Sequence, residues 1–445
     1  MKRFVMEDLI KWKNTPKRKP LILKGARQVG KTYILKQFGS NNYENVAYFN
    51  FDHDEDLYNI FEHTKDPIRI IEQLSFIHGK AIKKDKTLII FDEIQECPNA
   101  LNCLKYFFEE APEYHIACAG SLLGIRLSHT SFPVGKVEFL EMYPMTFLEF
   151  LMADGCENLV SYLDSINKIE TIPEPFFIRL EEKLKAYFII GGMPEVVLSW
   201  VTDKDMEQVD KIQSNILKTY ENDFAKHTSN YEANKISLIW NNIPSQLAKD
   251  NKKFLYQVVK NGARAREYEN ALNWLKDANI INKINDITKP SLPLCAYTNL
   301  NAFKIYLFDV GLLRKMTNLD SKIVIQGNKL YEEFKGSFTE NYCIQQLSYL
   351  FDVDINYFTF DKYEIDFIIQ TKNEIIPIEV KSGNAVSSPS LKKYIDKYSP
   401  QISIRFSMKN LSFDNNTLNI PLFMIEYLPR LIDIIFNNKD NTNQN

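Results

Sequence analysis

The stretch Gly25-Ala26-Arg27-Gln28-Val29-Gly30-Lys31-Thr32 constrains this chain more than any other. It follows the apolar run Leu21-Ile22-Leu23 and leads into Tyr33-Ile34-Leu35-Lys36-Gln37-Phe38, which reads as the first turns of a helix. A strand, a glycine-bounded loop and a helix in this order, with the spacing G-x-x-x-x-G-K-T, predict a phosphate cradle. Glycines let the backbone wrap closely enough for consecutive N–H groups to point inward. The helix start adds the positive end of its dipole. In such a loop Lys31 reaches the terminal phosphates of a nucleotide and the Thr32 hydroxyl ligates Mg²⁺.

A chain of 445 residues exceeds what one hydrophobic core serves, so several domains are expected. The formal charge of −3 gives no global field for nucleic acid, and any such binding needs a local patch. The six cysteines, at Cys97, Cys103, Cys118, Cys156, Cys295 and Cys343, form no C-x-x-C pair, which reads as reduced thiols in a cytoplasmic protein. The basic start Met1-Lys2-Arg3-Phe4-Val5 is interrupted by Glu7, Asp8 and Lys11, unlike a signal peptide. The most apolar stretch, Tyr187 to Val201, contains Gly191-Gly192, Pro194 and Glu195, which argues against a membrane span. The polar, Asn-rich residues 437–445 read as a disordered tail.

Val46 to Phe51 reads as a second strand, and the isoleucines 68, 70, 71 and 77 mark an amphipathic helix. Thr87-Leu88-Ile89-Ile90-Phe91-Asp92-Glu93 is a short apolar run of the kind buried on both faces of a parallel sheet. Ligands of open α/β sheets collect at the carboxyl ends of strands. Asp92 is therefore the candidate for the Mg²⁺ shell, and Glu93 for orienting or deprotonating an attacking water. Tyr114 to Ala119 is a further buried strand ending at Gly120-Ser121. Ser121 reads either as a sensor of the terminal phosphate or as a helix N-cap before Leu122-Leu123. Arg126 and Lys136 are candidates for stabilising phosphoryl charge, or solvated surface residues.

Leu21 to Thr32, Ile89-Ile90-Phe91-Asp92-Glu93-Ile94-Gln95, Ala119-Gly120-Ser121-Leu122-Leu123-Gly124 and Pro144-Met145-Thr146-Phe147-Leu148-Glu149-Phe150 resemble the bacterial and archaeal AAA-type ATPases of the signal-transducing, STAND-like branch. The resemblance implies a five-stranded parallel core, Mg²⁺–ATP binding and slow, switch-like hydrolysis. The family often has Gly-Arg where this chain has Gly135-Lys136, and a planar arginine fork is not equivalent to lysine on phosphate. The Gly191-Gly192-Met193-Pro194 segment also resembles one near the end of the family's ATPase part, and reads as a lid joint or a plain loop.

Beyond residue 203 the chain is polar and helix-rich. Phe254 to Val259, the turn Asn261-Gly262, Ala265 to Ala278 and the alternating Ile280 to Ile284 follow the order of a winged helix. Lys260, Arg264, Arg266, Asn270 and Asn273 are its candidate DNA contacts, while Glu267, Glu269 and Asp277 dilute the basic face and suit a packing role. Phe303 to Leu313 resembles the start of the uncharacterised C-terminal domain that accompanies this ATPase type in bacteria.

From residue 334 onward the predicted order is α-β-β-β-α-β. Asp366 lies on the second strand, and Glu379-Val380-Lys381 lies on the third. Period-two geometry puts Glu379 and Lys381 on one face, and the hairpin brings Asp366 alongside. Two carboxylates can hold Mg²⁺ while the lysine positions a water, and Glu340 would complete the site from the preceding helix. This resembles the PD-(D/E)XK nuclease superfamily, without the proline that names its motif. Lys362, Lys372, Lys392 and Lys393 could supply a local basic patch.

The expected architecture is α/β throughout. It comprises a P-loop NTPase parallel sheet with a helical lid (1–200), a winged-helix-like middle (201–300) and a restriction-endonuclease-like domain (301–436). The expected function is a Mg²⁺-dependent ATPase switch controlling a DNA-directed, nuclease-like site. The alternative is a signalling or protein-remodelling switch whose C-terminal domain only docks protein partners. Self-association is compatible with either.

Overall fold

The computed structural model describes the chain except at residues 53, 122–131, 227, 250–251, 321–328, 352–353, 372–373, 384–386 and 443–445, and at the side chains of 329–334 and 438–442. It divides into two compact units, one of Lys2–Tyr143 with Asp277–Asn279, the other of Met1, Pro144–Lys276 and Ile280–Asn445.

In the first unit β1 (Leu21–Lys24), β2 (Asn45–Asn50), β3 (Thr87–Asp92), β4 (His115–Ala119) and β5 (Glu138–Glu141) form one sheet in the order β2-β3-β4-β1-β5. Every pairing is parallel. β3 and β4 are buried at every position, because helices can cover both faces of a parallel sheet. Phe51, Phe61 and Phe91 meet edge to face with centroids 5.5–5.7 Å apart, and Phe49 lies 6.1 Å from Phe91. The helix Val5–Asn14 buries Val5, Leu9 and Trp12, and the Trp12 indole N–H donates to the Lys19 carbonyl at 2.8 Å. β5 carries no apolar run that periodicity could detect. It is half-exposed, and pairing with β1 defines it.

The second unit begins with helices between Phe147 and Leu247. Its sheet holds β6 (Ile281–Ile287), β7 (Thr298–Leu307), β8 (Asn356–Phe360), β9 (Tyr363–Gln370), β10 (Ile375–Val380), β11 (Ser403–Ser407), β12 (Ser412–Asp414) and β13 (Thr417–Pro421). The strand order is β12-β13-β11-β10-β9-β8-β6-β7. The sequence order Lys329–Leu350 helix, β8, β9, β10, Pro389–Tyr398 helix and β11 is the predicted α-β-β-β-α-β.

The structure differs from the sequence reading at three places. The β6–β7 hairpin does not close a separate middle domain, because β6 pairs parallel with β8 and joins the C-terminal sheet. The divisions expected at residues 200 and 300 therefore fall inside one compact unit. The helix expected over Phe254–Val259 shrinks to Tyr256–Val259, since the Phe254 amide instead donates to the Phe303 carbonyl at 2.8 Å. The tail also differs: the last helix, Leu428–Thr442, runs into the segment expected to be disordered. Its apolar positions Leu428, Leu431, Ile432 and Ile435 are buried and hold the helix in place.

The Gly-Gly segment is a packed joint within the second unit. Gly191 caps the helix Glu174–Ile190 at φ 73°, and a Cβ there would meet Asp309 Oδ1 at 2.3 Å. The Gly192 amide donates to Asp309 Oδ2 at 2.7 Å, and the Leu312 amide donates to Asp309 Oδ1 at 2.9 Å. Burial raises the Asp309 carboxyl to about 6, against the opposing pull of these amides. Replacing Gly191 with alanine combines left-handed backbone strain with displacement of a buried carboxylate, an expected loss of roughly 2–4 kcal/mol. Thermal unfolding measures it, and an unchanged melting temperature would show that Asp309 yields freely.

Candidate functional site

The first site lies at the carboxyl ends of β1, β3 and β4. The loop leaves β1 at Gly25, whose φ is 142° and where a Cβ would sit 2.1 Å from the Met142 carbonyl oxygen, so only glycine fits. Gln28 and Gly30 are also left-handed, and the helix Lys31–Asn42 starts directly after them. Lys31 Nζ turns back into the loop and donates to the carbonyls of Gly25 at 2.9 Å and Ala26 at 2.7 Å. Burial lowers its pKa to about 8, opposed by the charges of Glu93 and Asp92. Arg3 fastens the loop by donating to the carbonyls of Val29 at 3.0 Å and Tyr143 at 2.7 Å. The sequence offered no sign of that role, because Arg3 stands far from the motif.

Asp92 ends β3 and Thr32 opens the helix, and the Thr32 hydroxyl lies 2.9 and 3.1 Å from the two Asp92 oxygens. This hydroxyl and carboxylate are the hard oxygen donors that suit Mg²⁺. Tyr48 of β2 donates to Asp92 Oδ2 at 2.8 Å, a partner that a strand tyrosine does not announce in sequence. Glu93 follows with left-handed backbone at φ 50°. Its carboxylate accepts from Gln95 Nε2 and from Ser121 Oγ at 3.4 Å. Arg27 Nε donates to Ser121 Oγ at 3.3 Å. Ser121 comes into this group because β4 lies between β1 and β3. Its alternative N-cap role falls on residues outside those described, as does Arg126. Lys136 is ion-paired with Glu109 at 2.9 Å and lies over the Phe108 ring.

The second site lies on β9, β10 and the helix Lys329–Leu350. The register pairs Phe367 with Ile378, so the next position sets Asp366 beside Glu379. Asp366 Oδ2 accepts the Val380 amide at 2.8 Å, and Lys381 Nζ donates to Glu379 Oε1 at 2.7 Å. Glu379 Oε2 is buried without a hydrogen-bond partner, the kind of atom a cation satisfies. Arg405 of β11 stands opposite Glu379 in register. Burial, followed by the charges of Glu379 and Glu340, pushes the Asp366 carboxyl well above its ordinary range.

Glu340 is differently engaged. Its Oε1 accepts from Lys252 Nζ at 2.6 Å and its Oε2 from the Tyr306 hydroxyl at 2.9 Å. Burial works against its charge, but Lys252 and Lys304 outweigh it and hold the carboxyl low. Among the described residues no three His, Cys, Asp or Glu side chains stand where one metal ion could be held. Glu340, Asp366 and Glu379 thus lie close without forming a three-carboxylate cage. Lys304 of β7 is ion-paired with Glu364. A lysine inside the apolar run Phe303-Lys304-Ile305-Tyr306-Leu307 was a readable signal of a buried charge partner. Lys260, Arg264, Arg266, Asn270, Asn273, Lys362, Lys392 and Lys393 are exposed, and Lys372 lies outside the described residues.

No described helix is long and apolar enough to cross a membrane. Residues 17–151 match a family model described as an AAA domain. Residues 181–323 and 335–424 match two domains of unknown function, DUF8612 and DUF4143. Over 413 residues the chain is 24% identical to an uncharacterized protein of Methanocaldococcus jannaschii, covering 90% of this chain and 81% of that protein. Among solved structures it is similar to a Walker-type ATPase of Pyrococcus abyssi, at 13% identity and a TM-score of 0.43, over 70% of this chain and 94% of the other. It is also similar to the RuvB Holliday junction branch migration motor of Thermotoga maritima, at 13% identity and a TM-score of 0.31, over 62% and 88% of the two chains.

Proposed function

We propose that this chain, whose residues 17–151 match an AAA domain, is a Mg²⁺-dependent ATP-hydrolysing switch controlling a nuclease-like, DNA-directed site in its C-terminal part. The observation that carries the ATPase reading is Asp92 hydrogen-bonded to Thr32 while Glu93 is held next to it by Gln95 and Ser121. On ATP binding Lys31 exchanges two neutral loop carbonyls for charged phosphate oxygens, a stronger charge-assisted contact. Thr32 and Asp92 would hold Mg²⁺, which neutralises phosphate charge when bound. Glu93 takes the proton of the attacking water. Ser121, bonded to both Arg27 and Glu93, registers the terminal phosphate through that carboxylate.

The nuclease-like reading is supported by Asp366 beside Glu379, the Lys381–Glu379 pair and the partnerless Glu379 oxygen. Asp366 and Glu379 would hold the divalent cation there, and Lys381 would orient a water. The docking alternative is favoured by the engagement of Glu340 with Lys252 and Tyr306.

The test is cleavage of supercoiled and single-stranded DNA with Mg²⁺ or Mn²⁺, with and without ATP, in wild type and Asp366→Ala. The expected result is metal-dependent nicking that responds to ATP and is lost in the variant. No cleavage by the wild type under any condition would overturn the nuclease reading in favour of partner docking.

A further inference from the structure

We infer that Lys252 is a built-in counter-cation of the C-terminal carboxylate cluster, occupying charge space that a divalent metal would take and competing with that metal for the site. This rests on the metal-binding reading of Asp366 and Glu379.

Four carboxylates gather there, on Glu340, Glu364, Asp366 and Glu379. Three have lysine partners: Lys252 on Glu340 at 2.6 Å, Lys304 on Glu364, and Lys381 on Glu379 at 2.7 Å. Among the described residues Asp366 alone of the four has no ion pair, and its Oδ2 is held by the Val380 amide. The cation to be exchanged is identified by geometry. Lys381 belongs to the β10 motif, and Lys304 is fixed in β7 with its side chain only 1% exposed. Lys252 retains 15% exposure and comes from a non-helical segment after the helix Asn230–Leu247. Its flexible stem lets the ammonium leave without the backbone moving. Its backbone is left-handed at φ 49°, a conformation uncommon for lysine that is found where surrounding structure imposes it. While Lys252 is bound, both Glu340 oxygens are used, one by the ammonium and one by Tyr306. Once it leaves, the Glu340 Oε1 that it held is open to a cation bound by Asp366 and Glu379.

The experiment is Mn²⁺ titration of the full-length chain by calorimetry, with wild type, Lys252→Met, Lys252→Met/Glu340→Gln and Asp366→Ala. Removing the competing charge should tighten Mn²⁺ binding by about tenfold or more. The Glu340→Gln change should cancel that gain, and Asp366→Ala should abolish binding. Asp366-dependent binding in wild type with no gain in Lys252→Met would overturn the role of Lys252 and leave the metal site standing. Absence of Asp366-dependent binding in every form would overturn the metal site, and this inference with it. A second readout needs no variant at Lys252: acetylation of that lysine by acetic anhydride, followed by mass spectrometry. Mn²⁺ should raise its labelling several-fold in wild type and leave Asp366→Ala unchanged. Equal labelling of wild type with and without Mn²⁺ would overturn the exchange.

Discussion

Glu93→Gln should bind ATP as wild type does and hydrolyse it about 10²–10⁴-fold more slowly. The substitution keeps the size of the side chain and its capacity to accept from Gln95 and Ser121, so the loop geometry persists. What it removes is the carboxylate proposed to take the proton of the attacking water. On the proposed reading phosphate is held by the backbone of Gly25 to Gly30 and by Lys31, and Glu93 gives it no donor, so affinity should not fall. The check is ATP turnover beside equilibrium binding of a fluorescent ATP analogue. Unchanged turnover would remove Glu93 from its role, and a parallel loss of binding would make it a structural residue.

Lys31→Ala should raise the Kd for ATP by at least about a hundredfold, because it removes a charge-assisted contact to phosphate while the loop's other cation, Arg27, is engaged with Ser121. The wild type should also show a pH dependence of defined sign. The ammonium of the free protein titrates near 8, so it is charged below that pH and neutral above it. If ATP binds the charged form, as proposed, affinity should fall as pH rises through about 8, with proton uptake on binding at the higher pH. Phosphate charge favours the ammonium, so the bound complex keeps its proton to higher pH. The Lys31→Ala variant should lose this dependence. Retained micromolar affinity in the variant would sink the assignment of the site.

Much of the site was legible because its chemistry is local. The span Gly25 to Thr32 is one contiguous turn whose glycines and lysine are needed at fixed offsets, and Asp92-Glu93 end a strand marked by its uninterrupted apolar run. Asp366 and Glu379-Val380-Lys381 were legible for a similar reason. Successive strands joined by a short turn pair with one another, and alternation puts Glu379 and Lys381 on one face. The winged-helix reading was silent where local pattern had to choose a partner. Ile281–Ile287 looks like a wing because a strand carries no record of which strand lies on its other side.

The sequence by itself determined the phosphate loop, the acidic strand end, the β9–β10 hairpin and the order of elements around it, since each depends on spacing within one or two segments. Tertiary structure alone decided the partners: Arg3 on Val29, Tyr48 on Asp92, Ser121 on Glu93, and Lys252 with Tyr306 on Glu340. These pairs join residues from 26 to 88 positions apart. Their meeting depends on strand order and on the burial that makes an unpaired charge or hydroxyl costly, and neither is encoded in any single segment.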